Sequence, residues 1–264
     1  MRSLKIAAVQ MSLREGDTEG NTARACACLD QAGREGVTLA VLPEMWWTGF
    51  SYRKMPAFAR DTAASLAGIG AVARRHGMAV VGSWPEEGEG KIFNTAYVVG
   101  PDGRPRASYR KIHLFRPMKE DVFLSPGDSL LVDDLGFVKL GVVLCYDLRF
   151  PELIRRLALA HAEIVVVPSQ WPEARIDHFR TLLRARAIEN QIFLVGANRA
   201  GRGGKVRFGG YSGIIGPRGE ACAECGSDDG VALAEVDLDE IGRAREEICY
   251  LDDRVPGIDD IQTP

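Results

Sequence analysis

The sequence lacks both an excess of charge and any long apolar run. Its 264 residues include 33 Lys and Arg against 36 Asp and Glu, a formal net charge of −3, which provides no basic surface for nucleic acid. No apolar run approaches the roughly 20 residues that span a bilayer. The first segment, Leu4–Val9, predicts a short strand and lacks the apolar core and cleavage site of a signal peptide. We therefore expect a cytoplasmic protein that binds neither nucleic acid nor membranes.

Patterns that bind metals or cofactors are also lacking. The four histidines are scattered, no His-Glu-x-x-His occurs, and no Gly-x-Gly-x-x-Gly joins a strand to a helix. Cys222 and Cys225 form a CxxC, but no second ligand pair exists, and residues three apart in an extended segment point to opposite faces. We therefore expect no metal and no cofactor. A cytosolic chain would keep all six cysteines reduced: Cys26, Cys28, Cys145, Cys222, Cys225 and Cys249.

One order of elements occurs twice along the chain. Each copy predicts strand, helix, strand, helix, strand and hairpin strand, and each ends in a Gly-Pro-x-Gly turn. The second copy is followed by a strand, a short helix and a tail. The first copy comprises Leu4–Val9, Asn21–Arg34, Leu39–Glu44, Thr62–His76, Met78–Ser83 and Asn94–Val99; the second comprises Val138–Cys145, Pro151–Ala160, Ile164–Ser169, Asp177–Asn190, Ile192–Ala197 and Tyr211–Ile215, then Val231–Val236 and Leu238–Glu247.

The predicted strands indicate how the two copies pack. Runs such as Val165-Val166-Val167 and Leu140–Leu144 are apolar throughout, which is typical of strands covered on both faces. Two halves of this kind can stack sheet on sheet with helices outside, so we predict an α/β fold, a four-layer α-β-β-α sandwich with two pseudo-symmetric halves. The alternative, an open doubly wound sheet, does not explain the hairpin in each half. We interpret residues 1–264 as a single domain, and the tail after Leu251 could cross to a partner subunit.

Three residues that could do chemistry follow predicted strands: Glu44, Lys111 and Cys145. Active sites of parallel α/β sheets lie beyond the carboxyl ends of strands. Taken singly, they could be a loop cap, a surface lysine and an inert core thiol. Together they suffice for acyl transfer, because a carboxylate can take the proton of a thiol nucleophile and an ammonium can stabilise an oxyanion.

Three segments around these residues resemble the signature segments of the nitrilase, or carbon–nitrogen hydrolase, superfamily, in that family's order. They are Leu42-Pro43-Glu44, Arg110–Phe115 (RKIHLF) and Cys145–Glu152 (CYDLRFPE), and the resemblance continues through Ala185–Gln191. It implies the four-layer sandwich and a Glu–Lys–Cys triad that forms a thioester acyl-enzyme resolved by water. It also implies a homodimer or higher homo-oligomer, joined through the helices beside the active-site cysteine.

The resemblance also assigns roles. Glu44 would be the base for Cys145 and later for water, while Lys111 and the backbone N–H of Tyr146 would hold the oxyanion. Glu120 stands where the family often has a second glutamate that orients the lysine; the alternative is an exposed loop carboxylate.

Within the superfamily the chain is most similar to the ω-amidases, which hydrolyse 2-oxoglutaramate or 2-oxosuccinamate to a dicarboxylate and ammonia. The segments that show this similarity include Phe115-Arg116 and Gln170-Trp171-Pro172. A small amide substrate with a carboxylate suits this chain, because arginines can bind a carboxylate with two parallel hydrogen bonds. We expect Phe115 and Trp171 to form the pocket walls and one of four arginines to touch substrate: Arg116, Arg149, Arg175 or Arg199. The five residues that we expect to bind substrate are Phe115, Tyr146, Arg149, Trp171 and Arg175.

Alternatives remain open for these arginines and for the activity. Most of the arginines could form structural ion pairs, and Arg149 could pair with Asp147 or with a neighbouring subunit. The chain could instead hydrolyse an N-carbamoyl amine or an aliphatic amide. A non-catalytic scaffold and a metal hydrolase are disfavoured, because the triad is complete and no metal-ligand set exists.

Overall fold

The computed structural model describes residues 2–255. Elements of the first half are β1 (Ser3–Gln10), α1 (Thr18–Arg34), β2 (Leu39–Val41), α2 (Met55–His76), β3 (Ala79–Gly88), β4 (Lys91–Val99) and β5 (Pro105–Arg110). Then follow α3 (Glu120–Phe123), β6 (Leu131–Asp134), β7 (Lys139–Val142), α4 (Pro151–Leu159), β8 (Ile164–Ser169), α5 (Ile176–Asn190) and β9 (Phe193–Asn198). The last are β10 (Ala200–Gly203), β11 (Val206–Gly209), β12 (Gly213–Ile215), β13 (Ala221–Glu224), β14 (Gly230–Asp237) and α6 (Glu240–Glu247).

Two six-stranded sheets form the centre of the molecule. The first has the order β14-β1-β2-β3-β4-β5 and the second β13-β12-β9-β8-β7-β6, while β10 and β11 form a separate ribbon. In each sheet three neighbouring strands are parallel, β1-β2-β3 and β7-β8-β9, and the flanking strands are antiparallel. The equal arrangement of the two sheets confirms the predicted pseudo-symmetric halves.

Alternation along β8 shows the layering. Ile164 and Val166 lie in the core between the two sheets, whereas Val165 and Val167 pack under α4 and α5. Helices α1 and α2 cover the outer face of the first sheet in the same way. Because successive side chains of a strand point to opposite faces of the sheet, a strand that is apolar throughout must be buried on both faces. The predicted four-layer α-β-β-α sandwich is confirmed.

The last predicted strand lies in the sheet of the first half. The sequence order placed Val231–Val236 in the second half, but the strand containing it, β14, pairs antiparallel with β1 along its whole length. The corresponding position in the second sheet is filled by β6, which the sequence analysis missed. Each half is therefore completed by a strand that lies outside its own run of elements.

Within the described part of the chain, none of the helices is both long enough and apolar enough to cross a membrane. The expected tail after Leu251 falls largely on residues 256–264, which lie outside the described residues.

Candidate active site

The ends of strands from both sheets bring the predicted residues together. Glu44 follows β2, Lys111 directly follows β5, and Cys145 follows β7 after two residues. The Lys111 ammonium donates to Glu44 Oε1 at 2.8 Å, and the Glu44 carboxylate is a close charged neighbour of the Cys145 thiol. The expected convergence of Glu44, Lys111 and Cys145 is therefore present in the structure.

Lys111 lies between two carboxylates. Its Nζ donates to Glu44 Oε1 at 2.8 Å and to Glu120 Oε1 at 2.9 Å, and its side chain is fully buried. Burial alone would lower the pKa of Lys111, but the charges of Glu44 and Glu120 outweigh it and raise this pKa well above its ordinary value. The cluster therefore keeps a permanent cation beside the thiol.

Glu120 is not the exposed carboxylate of the alternative interpretation. It begins α3 and is buried, with 2% of its surface exposed. Its Oε2 accepts the backbone N–H of Phe115 at 2.9 Å while its carboxylate binds Lys111. The loop after β5 thus folds back on itself around Lys111, and this return places Glu120 in the cluster.

Glu44 is held from several sides. Asn94 Nδ2 donates to Glu44 Oε1 at 2.8 Å, and the Gln170 side chain donates to the Glu44 backbone carbonyl at 2.7 Å. Burial raises the pKa of Glu44, Lys111 opposes that shift, and the like charge of Glu120 adds to it. A carboxylate with a raised pKa is a better proton acceptor than an ordinary glutamate.

Cys145 begins a 3₁₀ helix, Cys145–Arg149, with a φ of 44°, a left-handed conformation that few residues other than glycine adopt. Burial and the charge of Glu44 raise the pKa of Cys145 well above its ordinary value, although Lys111 and the backbone N–H of Gln170 act in the opposite direction. The resting group is therefore a thiol, and it needs a base to become a nucleophile.

The cluster opens into a narrow cavity of about 30 Å³. Glu44, Glu120 and Cys145 lie at its base. Its walls contain all five residues expected to bind substrate, together with two wall residues that sequence analysis missed, Phe50 and Met118. The expected five are Phe115, Tyr146, Arg149, Trp171 and Arg175.

Two guanidinium groups line this cavity without an acidic partner. The Arg149 guanidinium lies 4.5 Å from the ring centroid of Trp171 and the Arg175 guanidinium 5.9 Å from that of Phe115. Among residues 2–255 neither forms an ion pair with a carboxylate, and the nearest polar partner of Arg149 is His178 Nδ1 at 3.4 Å. Burial and the neighbouring charge of Arg175 lower the pKa of Arg149. Two unpaired cations at one cavity favour an anionic ligand.

The suggested pair of Arg149 with Asp147 is wrong, because Asp147 is occupied by Tyr109 and His113. Arg199 is also not a substrate arginine in this structure. It is fully buried and donates to Glu15 at 2.7 Å and to Gln170 Oε1 at 2.8 Å.

Arg116 does not face the cavity either; it lines a neighbouring surface groove. Asn94 and Gln170 were missed as residues that hold Glu44. Gln170 directly follows β8, so its strand-end position was a usable signal. Asn94 lies within the antiparallel strand β4, where no sequence signal marks it.

Known proteins are similar to this chain over nearly its whole length. Residues 5–246 match the family model described as carbon-nitrogen hydrolase. The chain is 35% identical to the 2-oxoglutaramate amidase of Bacillus subtilis (strain 168) over 94% of this chain and 96% of that protein, and 31% identical to the omega-amidase NIT2 of Homo sapiens over 94% of both. A mutant of the amidase from Nesterenkonia sp. AN1, showing the result of Michael addition of acrylamide at the active site cysteine, aligns with a TM-score of 0.83 at 30% identity, covering 94% of this chain and 99% of that chain. This chain belongs to the carbon–nitrogen hydrolase family.

Proposed function

We propose that this chain is an ω-amidase, which hydrolyses the terminal amide of 2-oxoglutaramate or 2-oxosuccinamate and releases ammonia. The observation that carries the proposal is the pair of unpaired arginines, Arg149 and Arg175, in the cavity that ends at Cys145. The substrate carboxylate binds between these guanidinium groups, and the amide carbonyl lies at the thiol. The names of the relatives in Bacillus subtilis and Homo sapiens support the same substrate class.

In the first half-reaction Cys145 Sγ attacks the amide carbonyl while its proton passes to Glu44, its close charged neighbour. The tetrahedral oxyanion is stabilised by the Lys111 ammonium and by the backbone N–H of Tyr146. That N–H lies in the first turn of a 3₁₀ helix, where backbone donors have no intrahelical acceptor. Glu44 then returns the proton to the departing nitrogen, the C–N bond breaks, and ammonia and a thioester result.

In the second half-reaction Glu44 takes a proton from water, and the resulting hydroxide attacks the thioester carbonyl. Lys111 and the N–H of Tyr146 stabilise the second oxyanion. The C–S bond breaks, the sulfur regains its proton from Glu44, and the dicarboxylate leaves. Glu120 binds no reacting atom in this scheme; its hydrogen bond to Lys111 orients the ammonium.

The substrate test compares 2-oxoglutaramate, an uncharged aliphatic amide and an N-carbamoyl amine by ammonia release from the purified enzyme. We expect turnover of 2-oxoglutaramate and none of the N-carbamoyl compound. An enzyme that hydrolyses only the aliphatic amide, to which the apolar cavity walls are also suited, would make the chain an aliphatic amidase and refute the proposal. Full activity in a strong chelator would dismiss a metal hydrolase.

Two variants test the assigned roles. Cys145→Ala should abolish turnover. Arg149→Leu should raise KM for 2-oxoglutaramate about 10- to 100-fold, the value of one charged hydrogen-bonded contact, and leave turnover of an aliphatic amide unchanged. Arg116→Leu is the matched control, because Arg116 lies outside the cavity. An unchanged KM in Arg149→Leu would remove Arg149 from the substrate site.

We also propose that the protein acts in the cytoplasm as a homo-oligomer. Six free cysteines suit a reducing compartment. Three exposed apolar side chains, Leu159 of α4, Ile188 of α5 and Ile248 after α6, suit a subunit interface. Light scattering of the wild type and of Leu159→Glu tests the assembly: the variant should lose mass, and a monomeric wild type would refute the oligomer.

A further inference from the structure

A third buried carboxylate, in addition to Glu44 and Glu120, lies next to the active site, but it does not line the cavity. Asp147 is two residues after Cys145 and is completely buried. Its Oδ2 accepts the Tyr109 hydroxyl at 2.8 Å and the Leu144 backbone N–H at 3.0 Å. Its Oδ1 accepts the backbone N–H of His113 at 2.8 Å and lies 3.0 Å from His113 Nδ1. We refer to Asp147, Tyr109, His113 and Leu144 as the Asp147 network.

The donors of the Asp147 network lie close in sequence to Lys111 and Cys145. Tyr109 and His113 lie two residues before and two residues after Lys111, and Leu144 directly precedes Cys145. Tyr109 belongs to β5 of the first sheet, whereas Leu144 follows β7 of the second. One carboxylate therefore joins the chain on both sides of Lys111 to the turn that carries Cys145, across the two halves of the molecule.

Burial and hydrogen bonds hold the Asp147 network in one arrangement. The Asp147 carboxylate has no solvent-exposed surface, so each of its contacts forms without competition from water. Because both oxygens accept, His113 Nδ1 must carry the hydrogen, and the imidazole stacks on Phe150 with ring centroids 3.5 Å apart. The remaining ring nitrogen, Nε2, is free to face the surface grooves that His113 lines.

None of the side chains of Asp147, Tyr109 and His113 lines the catalytic cavity. They therefore act through Lys111 and Cys145 and not on the substrate. We propose that Asp147, with His113, is a positioning residue that fixes the Lys111 ammonium relative to the Cys145 thiol. The inference rests on the proposed roles of Lys111 and Cys145, and on the general finding that a displacement of about 1 Å at reacting groups can cost about 100-fold in rate.

Asp147→Asn is the direct test. It replaces one accepting oxygen by an N–H₂ group that faces donors, so one pair of hydrogen bonds is lost while the shape is kept. We expect kcat for 2-oxoglutaramate to fall about 100-fold and KM to stay within about twofold. The rate of Cys145 alkylation by iodoacetamide should fall as well, because the thiol is displaced from Glu44.

A matched pair at His113 separates positioning from mere packing. In His113→Asn the amide nitrogen can occupy the place of Nδ1 and still donate to Asp147, whereas His113→Leu removes the donor. The Asn variant should keep most of kcat and the Leu variant should lose at least about tenfold, with equal KM in both. Both variants lose the stacking on Phe150, so a purely structural role would affect them alike.

The outcomes are separable. If Asp147→Asn does not fold, as judged by circular dichroism, the His113 pair and Tyr109→Phe decide the question. Folded Asp147→Asn and His113→Leu proteins with wild-type kcat and wild-type alkylation rates would overturn the inference, and so would a rise of KM alone. If the wild type fails to hydrolyse 2-oxoglutaramate, the proposed function fails, but the alkylation rates of the same variants still test the network.

Discussion

At the residue scale, the active site is defined by what surrounds a single lysine. Lys111 binds two carboxylates, Glu44 and Glu120. Burial raises the pKa of Glu44, and the like charge of Glu120 raises it further. The base is therefore tuned by a residue that takes no proton itself. This tuning should be visible in the dependence of activity on pH.

The acidic limb of the pH profile should lie above the ordinary glutamate pKa of 4.5. Activity needs the Glu44 carboxylate, so it is lost as the pH falls through the raised pKa of Glu44. Glu120→Gln removes the like charge, which lowers the pKa of Glu44 and should move the acidic limb of kcat/KM to lower pH. Glu87→Gln, an exposed carboxylate of β3, is the control and should leave the limb unchanged. A limb that stays in place or moves upward in Glu120→Gln would contradict the assignment of Glu44 as the base.

Arg199 offers a second prediction at this scale. Its guanidinium binds Gln170 Oε1, and Gln170 in turn binds the Glu44 backbone carbonyl. Arg199→Lys keeps a positive charge that can bind Glu15, but it lacks the planar guanidinium group that binds Glu15 and Gln170 at the same time. We expect kcat to fall about tenfold through displacement of Glu44, with KM for 2-oxoglutaramate unchanged. Steady-state kinetics decide: a rise in KM that occurs only for carboxylate-bearing amides would return Arg199 to the substrate site.

The arginines also show where sequence reasoning ended. Strand-end position identified Glu44, Lys111 and Cys145, because the carboxyl ends of parallel strands meet at one edge. The same reasoning placed four arginines near the site but could not choose among them, since direction depends on side-chain contacts. The structure turns Arg199 inward to Glu15 and leaves Arg149 and Arg175 at the cavity.

At the scale of elements, long periodic segments were predictable and short ones were not. Helices α1, α2, α4 and α5 and the buried parallel strands have strong patterns. Strands β6, β10, β11 and β13 have four residues each and were missed, because so short a segment carries too little alternation. The sheet to which β14 belongs was not predicted, because its pairing with β1 joins segments far apart in the sequence, which no local pattern encodes.

Helix α2 contains a close contact that only glycine permits. A Cβ at Gly70 would lie 2.2 Å from the carbonyl oxygen of Gly103, in the turn between β4 and β5. Gly103 has a φ of 80°, so this turn cannot easily accept another residue in its place. The contact fixes the turn that leads into β5 and, at its end, Lys111.

Gly70→Ala should therefore destabilise the protein by about 1–3 kcal/mol, the usual cost of overpacking against atoms that cannot move. Gly68→Ala in the same helix is the matched control. No atom lies within 4 Å of its added Cβ, so the better helix propensity of alanine should stabilise the protein by about 0.5–1 kcal/mol. Chemical denaturation measures both changes, and two variants of equal stability would contradict the contact.

At the scale of the whole molecule, the two halves share one core and one site. Strands of both sheets contribute to the apolar cluster between them, including Val41 and Val81 from the first and Val142 and Val166 from the second. The active site likewise takes Glu44 and Lys111 from the first half and Cys145 from the second. Neither half buries its inner face alone, and we propose, as expected from the sequence, that the described residues 2–255 belong to a single domain.

This dependence predicts a single cooperative unfolding transition. If one half is lost, the other exposes the inner face of its sheet to water, at about 25 cal/mol for each Å² of apolar surface, so a half-folded state should not accumulate. Tryptophan fluorescence reports mainly on the first half, where Trp46, Trp47 and Trp84 are buried, while far-ultraviolet circular dichroism reports on both. The two signals should give the same denaturant midpoint. The sharper test is Val166→Ala, which opens a cavity in the shared core from the second sheet and should shift both signals to lower denaturant together. A shift in circular dichroism that leaves the tryptophan transition in place would show that the halves unfold as separate domains.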